Sequence, residues 1–398
     1  MKRRWSNYLG NQRCRAELRA PASLVALSRT VRRAARRGRV RAVGNSYSWS
    51  ALVPTSGTMI SLRRLTRCLE VDAMSETPSI RVECGMSVRE AEAHARAAGL
   101  VLRSPTMFDR VSVGGALATG SHGADLESGC FSDSILSATL VTADGSVLEV
   151  SGGEELDALR VGLGALGILY AVRLRCQRAF AVFSEERWLD LEPTLEELPA
   201  LARSVRFAQL WYFPFVNRIG FKGMYTLDAP SPTRSRGARA ARWLRDQAAV
   251  IGGTTVMPAL VRAAPRLLPS VIRSGGAIAV TPGARVSSAW HEFHFHQGYM
   301  RCWDMSFSLP LDGASRALRR VVAYAERARG DGEFPVNMAV YARFTGASNG
   351  FLAANHGRES CFVEVVSAHG TPRVEHHFAR IADELLELPG ARMHWGKH

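Results

Sequence analysis

Lysine is almost missing from this sequence. Lys2, Lys222 and Lys397 are its only lysines, against 51 basic residues in all. The formal charge of +15 is therefore carried almost wholly by arginine, a skew that reads as codon bias in a GC-rich genome. Basic clusters at Arg32-Arg33, at Arg36-Arg37-Gly38-Arg39 and within 234–245 have the sign to attract nucleic acid. No nucleic-acid motif or interleaved aromatic platform accompanies them, so a solvated basic surface is expected and nucleic acid is not expected as a partner. Apolar runs near the ~20 residues of a membrane span are also missing, and no membrane association is expected. The start has basic residues but no apolar stretch behind them, so it does not read as a signal peptide. Seven cysteines are scattered without a CxxC pair. An odd, unpatterned set excludes a disulfide framework and argues for reduced thiols in the cytoplasm. HExxH spacing is absent. His291-Glu292-Phe293-His294-Phe295-His296 would put His294 and His296 on one face of a strand, but no third ligand can be identified, and no metal is expected.

What is present is ordinary in bulk and unusual in one place. Hydrophobic content of 46% and charged content of 22% fit a globular protein, and 398 residues are long for one core, so two domains are expected. The unusual place is residues 112–123, Ser-Val-Gly-Gly-Ala-Leu-Ala-Thr-Gly-Ser-His-Gly. Glycines let the backbone approach a ligand closely, and successive exposed N–H groups make a pocket for anionic oxygens. The stretch matches neither GxGxxG nor GxxxxGK[ST]. It reads as a loop made to lie against a diphosphate or a flat ring; a glycine-rich structural turn is the alternative.

Along the chain, Ser23 is placed to cap a helix with Leu24, Leu27 and Val31 on one face, ending at Gly38. Residues 40–43 read as a strand. Ser87 and Glu90 have capping-box spacing for a helix through Ala98, stopped by Gly99. Residues 136–142 and 147–150 flank Ala143-Asp144-Gly145-Ser146 as a hairpin, and 168–175 is another strand. Beyond 177 the texture changes to long aromatic strands, 207–213 and 293–307. An exposed loop is expected at 228–237, and helices at 314–329 and 374–388. His376-His377 is expected to be exposed. The reading is α+β, with domains at 1–177 and 178–398.

Several segments together resemble one family, the vanillyl-alcohol-oxidase-type FAD enzymes, in the alditol oxidase and aldonolactone oxidase branch. They are Trp5-Ser-Asn-Tyr-Leu-Gly-Asn11, Val40-Arg-Ala-Val-Gly-Asn-Ser46, residues 105–123, Leu140-Val-Thr-Ala-Asp-Gly145, Leu163-Gly-Ala-Leu-Gly-Ile168 and Arg392-Met-His-Trp-Gly-Lys397. The resemblance implies a two-lobed FAD-binding domain (PCMH-type) and a cap domain with a large antiparallel sheet. It places Val43, Gly44, Asn45 and Ser46 at the diphosphate. Met107, Ser112, Gly115, Thr119, Gly120, Ser121 and His122 would lie along the rest of the FAD, and Ile168 at the nucleotide end. Relatives run on past the His-Trp-Gly-Lys segment, so a chain ending at His398 is expected to have a more open flavin site or to lean on a partner surface.

The departures from the family pattern shape the expected chemistry. Asn45 stands where many relatives carry a histidine bonded to the flavin, so FAD is expected to be non-covalent. Tyr47 and Trp49 would pack beside the ring system or serve as core aromatics. The family's Glu-x-Arg reads Tyr341-Ala-Arg343 here, so the carboxylate is expected to be lost. A serine of the substrate loop is replaced near Met107. Arg343 and Lys397 would polarise the substrate oxygen, and Tyr341 would relay its proton if those two cations lower its pKa. Against these stand an ion pair for Arg343, a solvated chain end for Lys397 and a packed aromatic for Tyr341. The expected activity is FAD-dependent oxidation of a CH–OH group of a small sugar-, polyol- or cyclitol-like metabolite, not a plain alditol. Hydride would pass to flavin N5, with dioxygen as acceptor, and a tailoring step in biosynthesis is the kind of reaction this suits. The alternative is a flavoprotein that acts on an amine or has no redox role.

Overall fold

The computed structural model describes residues 2–104, 106–228, 236–293 and 301–398. Its strands fall into three sheets taken up in turn along the chain. The first holds β1 (Arg3–Ser6), β2 (Arg13–Arg19), β3 (Val40–Val43) and β4 (Thr58–Ser61), in the order β1-β2-β4-β3. β4 runs parallel to β2 and β3, while β1 and β2 are antiparallel. The parallel pairing requires a crossover, and helix α1 (Leu24–Ala35) supplies it. Ser23 caps this helix by accepting from the Ala26 N–H, and Leu27, Val31 and Ala34 form its buried face.

The second sheet is antiparallel. It contains β5 (Cys68–Asp72), β6 (Ser79–Glu83), β7 (Leu100–Leu102), β8 (Ile135–Val141), β9 (Val147–Val150) and the long β10 (Ile168–Arg178). Helix α2 (Val88–Ala97) begins with the expected reciprocal capping box of Ser87 and Glu90, and Gly99 beyond it takes φ +71°. Short helix α3 (Val113–Ala118) is capped by Ser112, whose hydroxyl accepts from Gly115 N–H at 3.2 Å.

Two residues link β10 to the third sheet. Its strands are β11 (Ala181–Asp190), β12 (Phe207–Tyr212), β13 (Arg218–Leu227), β14 (Gly283–Ser288), β15 (Cys302–Pro310), β16 (Val340–Thr345), β17 (Ser360–Ala368) and β18 (Arg392–Met393). They are antiparallel throughout, in the order β14-β11-β13-β12-β16-β17-β15-β18. Side chains alternate between faces along a strand. One face carries Leu210, Phe221, Phe307, Phe344, Val363 and Val365 into a core with Leu318 and Val321 of the helix Ala314–Gly330 and with Phe378 and Ile381 of the helix Val374–Leu386. The other face carries Glu186, Gln209, Lys222, Arg343, Glu364 and Asp304. The functional face is thus defined by parity against a well-packed core.

Three local expectations change. Phe293 lies in a helix, Ala289–Phe293, and among the described residues the aromatic strand is Cys302–Pro310; the helical turn carries Glu292 to the buried Lys222. His294 and His296 lie outside the described residues. The expected loop at 228–237 also falls largely outside them, and Arg236 already opens the helix Arg236–Ile251. His376 is exposed as expected, but His377 is buried, with its Nδ1 2.8 Å from the Tyr324 hydroxyl and its Nε2 3.1 Å from Glu333.

Candidate active site

A cavity of about 890 Å³ lies between the glycine loops and the polar face of the third sheet. Val43, Gly44, Asn45, Ser46, Met107, Ser112, Gly115, Thr119, Ser121, His122 and Ile168 all line it, and so do Tyr341, Arg343 and Lys397. Gly120 does not. Its carbonyl is turned toward His394 Nε2 at 3.2 Å, and its φ of +69° serves the turn rather than the cavity wall.

The first loop is held from behind by the chain start. Trp5 donates its indole N–H to the Ser46 hydroxyl at 3.1 Å, Tyr8 N–H donates to Ser46 O at 2.8 Å, and the Asn7 amide donates to Ser48 O at 2.9 Å. These contacts hold Ser46 in the left-handed region at φ +65°. The second loop approaches so closely that a Cβ on Gly44 would overlap Ser112 Oγ, and one on Gly115 would stand 2.9 Å from it. Glycine at these two positions keeps both loops clear of the Ser112 side chain where they meet beside the cavity. Asn45 donates its amide to Arg110 O at 2.7 Å. Trp49 donates its indole N–H to Cys302 O at 2.9 Å, and Tyr47 meets the ring of Phe108 edge-on at 4.8 Å. Both aromatics line the cavity as well, so each packs and faces the site at once.

The opposite wall is a buried set of charges. Arg343 is ion-paired with Glu364 and donates to His122 O at 3.2 Å. Its Nε is buried without a partner among the described residues. Lys397 is ion-paired with Asp304 and lies over the Trp49 ring at 4.8 Å. The two pairs are neutral in sum. Burial pushes the Glu364 carboxyl up, but Arg343 and Lys397 outweigh it and hold the group below the usual range. Burial raises Asp304 to about 6, with Lys397 opposing. Burial lowers the Lys397 ammonium, and Asp304 and Glu364 reverse this, so it stays charged. His122, stacked on Phe362 at 3.7 Å, is lowered by burial and then by Arg343. His394 falls to about 4 by burial and then by Lys397. Both imidazoles are neutral near pH 7.

Two expectations about this wall are corrected. Position 341 lacks the carboxylate, as expected, but the wall does not. Glu364 stands directly opposite Tyr341 across the β16–β17 pair and reaches Arg343 from the neighbouring strand. The Tyr341 phenol is not lowered by the two cations. Burial raises it, with Cys302, Glu364 and Asp304 adding to the rise and Arg343 offsetting only part, so it is not a ready proton relay. Sequence reading also missed Asp304. Each of these carboxylates interrupts a buried strand, Ser360–Ala368 in one case and Cys302–Pro310 in the other. A charge inside an otherwise apolar strand is the signal that marks them.

Comparison with known proteins agrees with this geometry. Residues 16–151 match the model of an FAD binding domain, and residues 172–398 match that of D-arabinono-1,4-lactone oxidase. An L-gulono-1,4-lactone dehydrogenase of Mycobacterium tuberculosis (strain ATCC 25618 / H37Rv) is 29% identical over 396 residues, spanning 99% of this chain and 89% of its own. The L-gulonolactone oxidase of Mus musculus is 25% identical, with 90% of this chain and 80% of its own covered. An alditol oxidase of Streptomyces sp. is 26% identical, with 98% and 88% covered. Among solved structures, cholesterol oxidase from B. sterolicum superposes with a TM-score of 0.80 at 14% identity, covering all of this chain and 86% of that one; this likeness is one of fold. Among the described residues no helix is long and apolar enough to cross a membrane.

Proposed function

The chain belongs to the D-arabinono-1,4-lactone oxidase family, and from that premise we propose that it oxidises a CH–OH group of a sugar-like substrate in this cavity, with non-covalently held FAD and dioxygen as final acceptor. The observation that carries the reading is the pair of buried cations, Arg343 and Lys397, facing two glycine loops across one cavity. The residues fit the cofactor. Gly44 and Gly115 let the two loops meet at Ser112 with no side chain between them, and the small residues of both loops line the cavity. Val43, Gly44, Asn45 and Ser46 would hold the diphosphate, with Ser112, Thr119, Ser121, His122 and Ile168 along the remainder. Asn45 offers an amide where a covalent link would need an imidazole, which supports non-covalent binding.

When bound, FAD supplies the hydride acceptor. The protein supplies the rest. The unpartnered Arg343 Nε and the Lys397 ammonium offer N–H donors to the substrate oxygen. The hydroxyl proton goes to Lys397 as that residue hands its own to Asp304, a carboxylate poised at about 6. Glu364 holds Arg343 in place and keeps the wall neutral.

The test is an absorption spectrum before and after acid precipitation, followed by anaerobic mixing with a substrate panel. Expected are a flavin spectrum, FAD released into the supernatant, and bleaching by a cyclic sugar, lactone or cyclitol. Flavin retained in the pellet refutes non-covalent binding. A flavin that no member of the panel bleaches refutes the oxidase reading, and robust turnover of xylitol or sorbitol refutes the exclusion of plain alditols.

A further inference from the structure

The polar face of the third sheet carries a second buried network, away from Arg343 and Lys397. Lys222 on β13 donates to Glu292 at 2.6 Å. Arg285 on β14 reaches Glu292 at 3.4 Å and Glu186 on β11 at 3.1 Å. Ser287 also donates to Glu292. Lys222 is paired in register with Gln209, and Gln209 with Arg343. Two strand spacings therefore separate Lys222 from Arg343, about 10 Å. Gln209 is 6% exposed, lines the cavity, and has no hydrogen-bond partner for its amide among the described residues.

Burying charged groups costs several kcal/mol per ion, and well-packed apolar residues of similar volume are often no less stable. A network of four charges on a cavity wall is therefore poorly explained by stability. Lysine usage points the same way. In a chain that has replaced nearly every lysine by arginine, both lysines beyond Lys2 line this one cavity. An ammonium is a compact donor with three directions, where a guanidinium is a planar fork. Among the described residues Glu292 is the one acceptor of Lys222, so two N–H directions stay open.

We propose that Gln209, Lys222 and Glu186, with Glu292 holding Lys222 in place, form a distal subsite for a second, uncharged polyhydroxyl ring, so that the substrate is a glycosylated sugar or cyclitol and not a single ring. This rests on the cavity being the oxidase site. Two cations and two carboxylates sum to zero, as do the two pairs around Arg343. Neither end of the cavity selects a net charge. Hydroxyls both donate and accept, so a vicinal diol can give to a carboxylate while receiving from Lys222 and the Gln209 amide. The separation of about 10 Å places this end beyond the ring whose carbon sits at Arg343.

The test compares kcat/KM and flavin bleaching for paired probes, glucose with maltose and myo-inositol with galactinol, in the wild-type holoenzyme and in Lys222→Met and Gln209→Leu. Hydrogen bonds to charged partners are worth roughly tenfold or more each. At least one two-ring probe is expected to exceed its one-ring counterpart roughly tenfold in the wild type, through KM, and each variant is expected to bring that ratio toward one. Gln209→Leu leaves no buried charge unpaired, so it keeps the test open if Lys222→Met fails to fold. Two-ring probes no better than their counterparts, or a preference untouched by Gln209→Leu, overturn the distal subsite. If no compound, one ring or two, bleaches the flavin, the oxidase reading falls with it.

Discussion

Replacing Lys397 by methionine separates a charge-pairing role for this lysine from a merely apolar one. The folded protein holds Asp304 at about 6, above its ordinary 3.8, because burial outweighs Lys397. A folded value above the unfolded one means that the folded chain binds more protons, so stability falls as pH rises through that window. In the wild type the fall ends near pH 6. Without Lys397 the largest opposing influence disappears, and the window extends upward. Each pH unit costs about 1.4 kcal/mol, so the variant is expected to lose roughly 2–3 kcal/mol relative to wild type between pH 6 and pH 8. A constant offset comes in addition from the cation over Trp49, about 0.5–2 kcal/mol. Denaturation of the flavin-loaded protein, with FAD in fixed excess at pH 6, 7 and 8, reads the difference directly. If the two stability profiles run parallel, Lys397 is not what keeps Asp304 ionised, and the Lys397–Asp304 proton route loses its basis. The same variant is expected to lower kcat by about 10²–10³, the usual cost of removing an oxyanion donor.

Two further outcomes follow from other parts of the molecule. Gly44→Ala drives a Cβ into Ser112 Oγ, so the flavin-to-protein absorbance ratio after gel filtration is expected to drop several-fold. Adding Ser112→Ala is expected to restore much of it, because the nearest remaining atom, Ser112 Cβ, lies 3.4 Å away. Glu92 on α2 is buried and raised to about 8 from 4.5, so it too removes stability as pH rises through that window, by up to about 1.4 kcal/mol per unit. Glu92→Gln is expected to flatten the melting-temperature profile between pH 5 and 8; a profile as steep as the wild type's would show that this carboxyl is not buried neutral.

Local chemistry made the first half of the chain readable. Ser23, the Ser87–Glu90 box and Gly99 fix helix ends through bonds within a few residues. The turn before Val147–Val150 is likewise closed locally, by Asp144 on Ser146. The third sheet was readable only as a texture of aromatic strands. Its order places β12 beside β16 and β15 beside β18, and such pairings depend on closing long loops that no short window contains. Phe293 failed for a related reason. Alternating aromatics and histidines fit a strand, while the helical turn there is set by the salt bridge of Glu292 with Lys222, 70 residues away.

The site divides along the same line. Backbone-shaping residues announce themselves in sequence, since glycine, serine and threonine packed into a dozen positions have few other uses, and the second loop was legible for that reason. Charge partnerships do not. Arg343 finds Glu364 over 21 residues, and Lys397 finds Asp304 over 93. A motif read along one strand records Tyr341 as the place where a carboxylate is gone. Register then sets Glu364 opposite it on the next strand and the same face. The arginine requires a neutralising oxygen within hydrogen-bond reach, and an antiparallel sheet offers that place from either neighbouring strand as readily as from two residues along its own. What the site needs is therefore the occupied position on the face and not the spacing in the sequence. For that reason the substituted motif is no sign of a disabled enzyme, while Glu364, Asp304 and Lys222, charged residues within buried strands, are the better clues to the wall on which the proposed chemistry is placed.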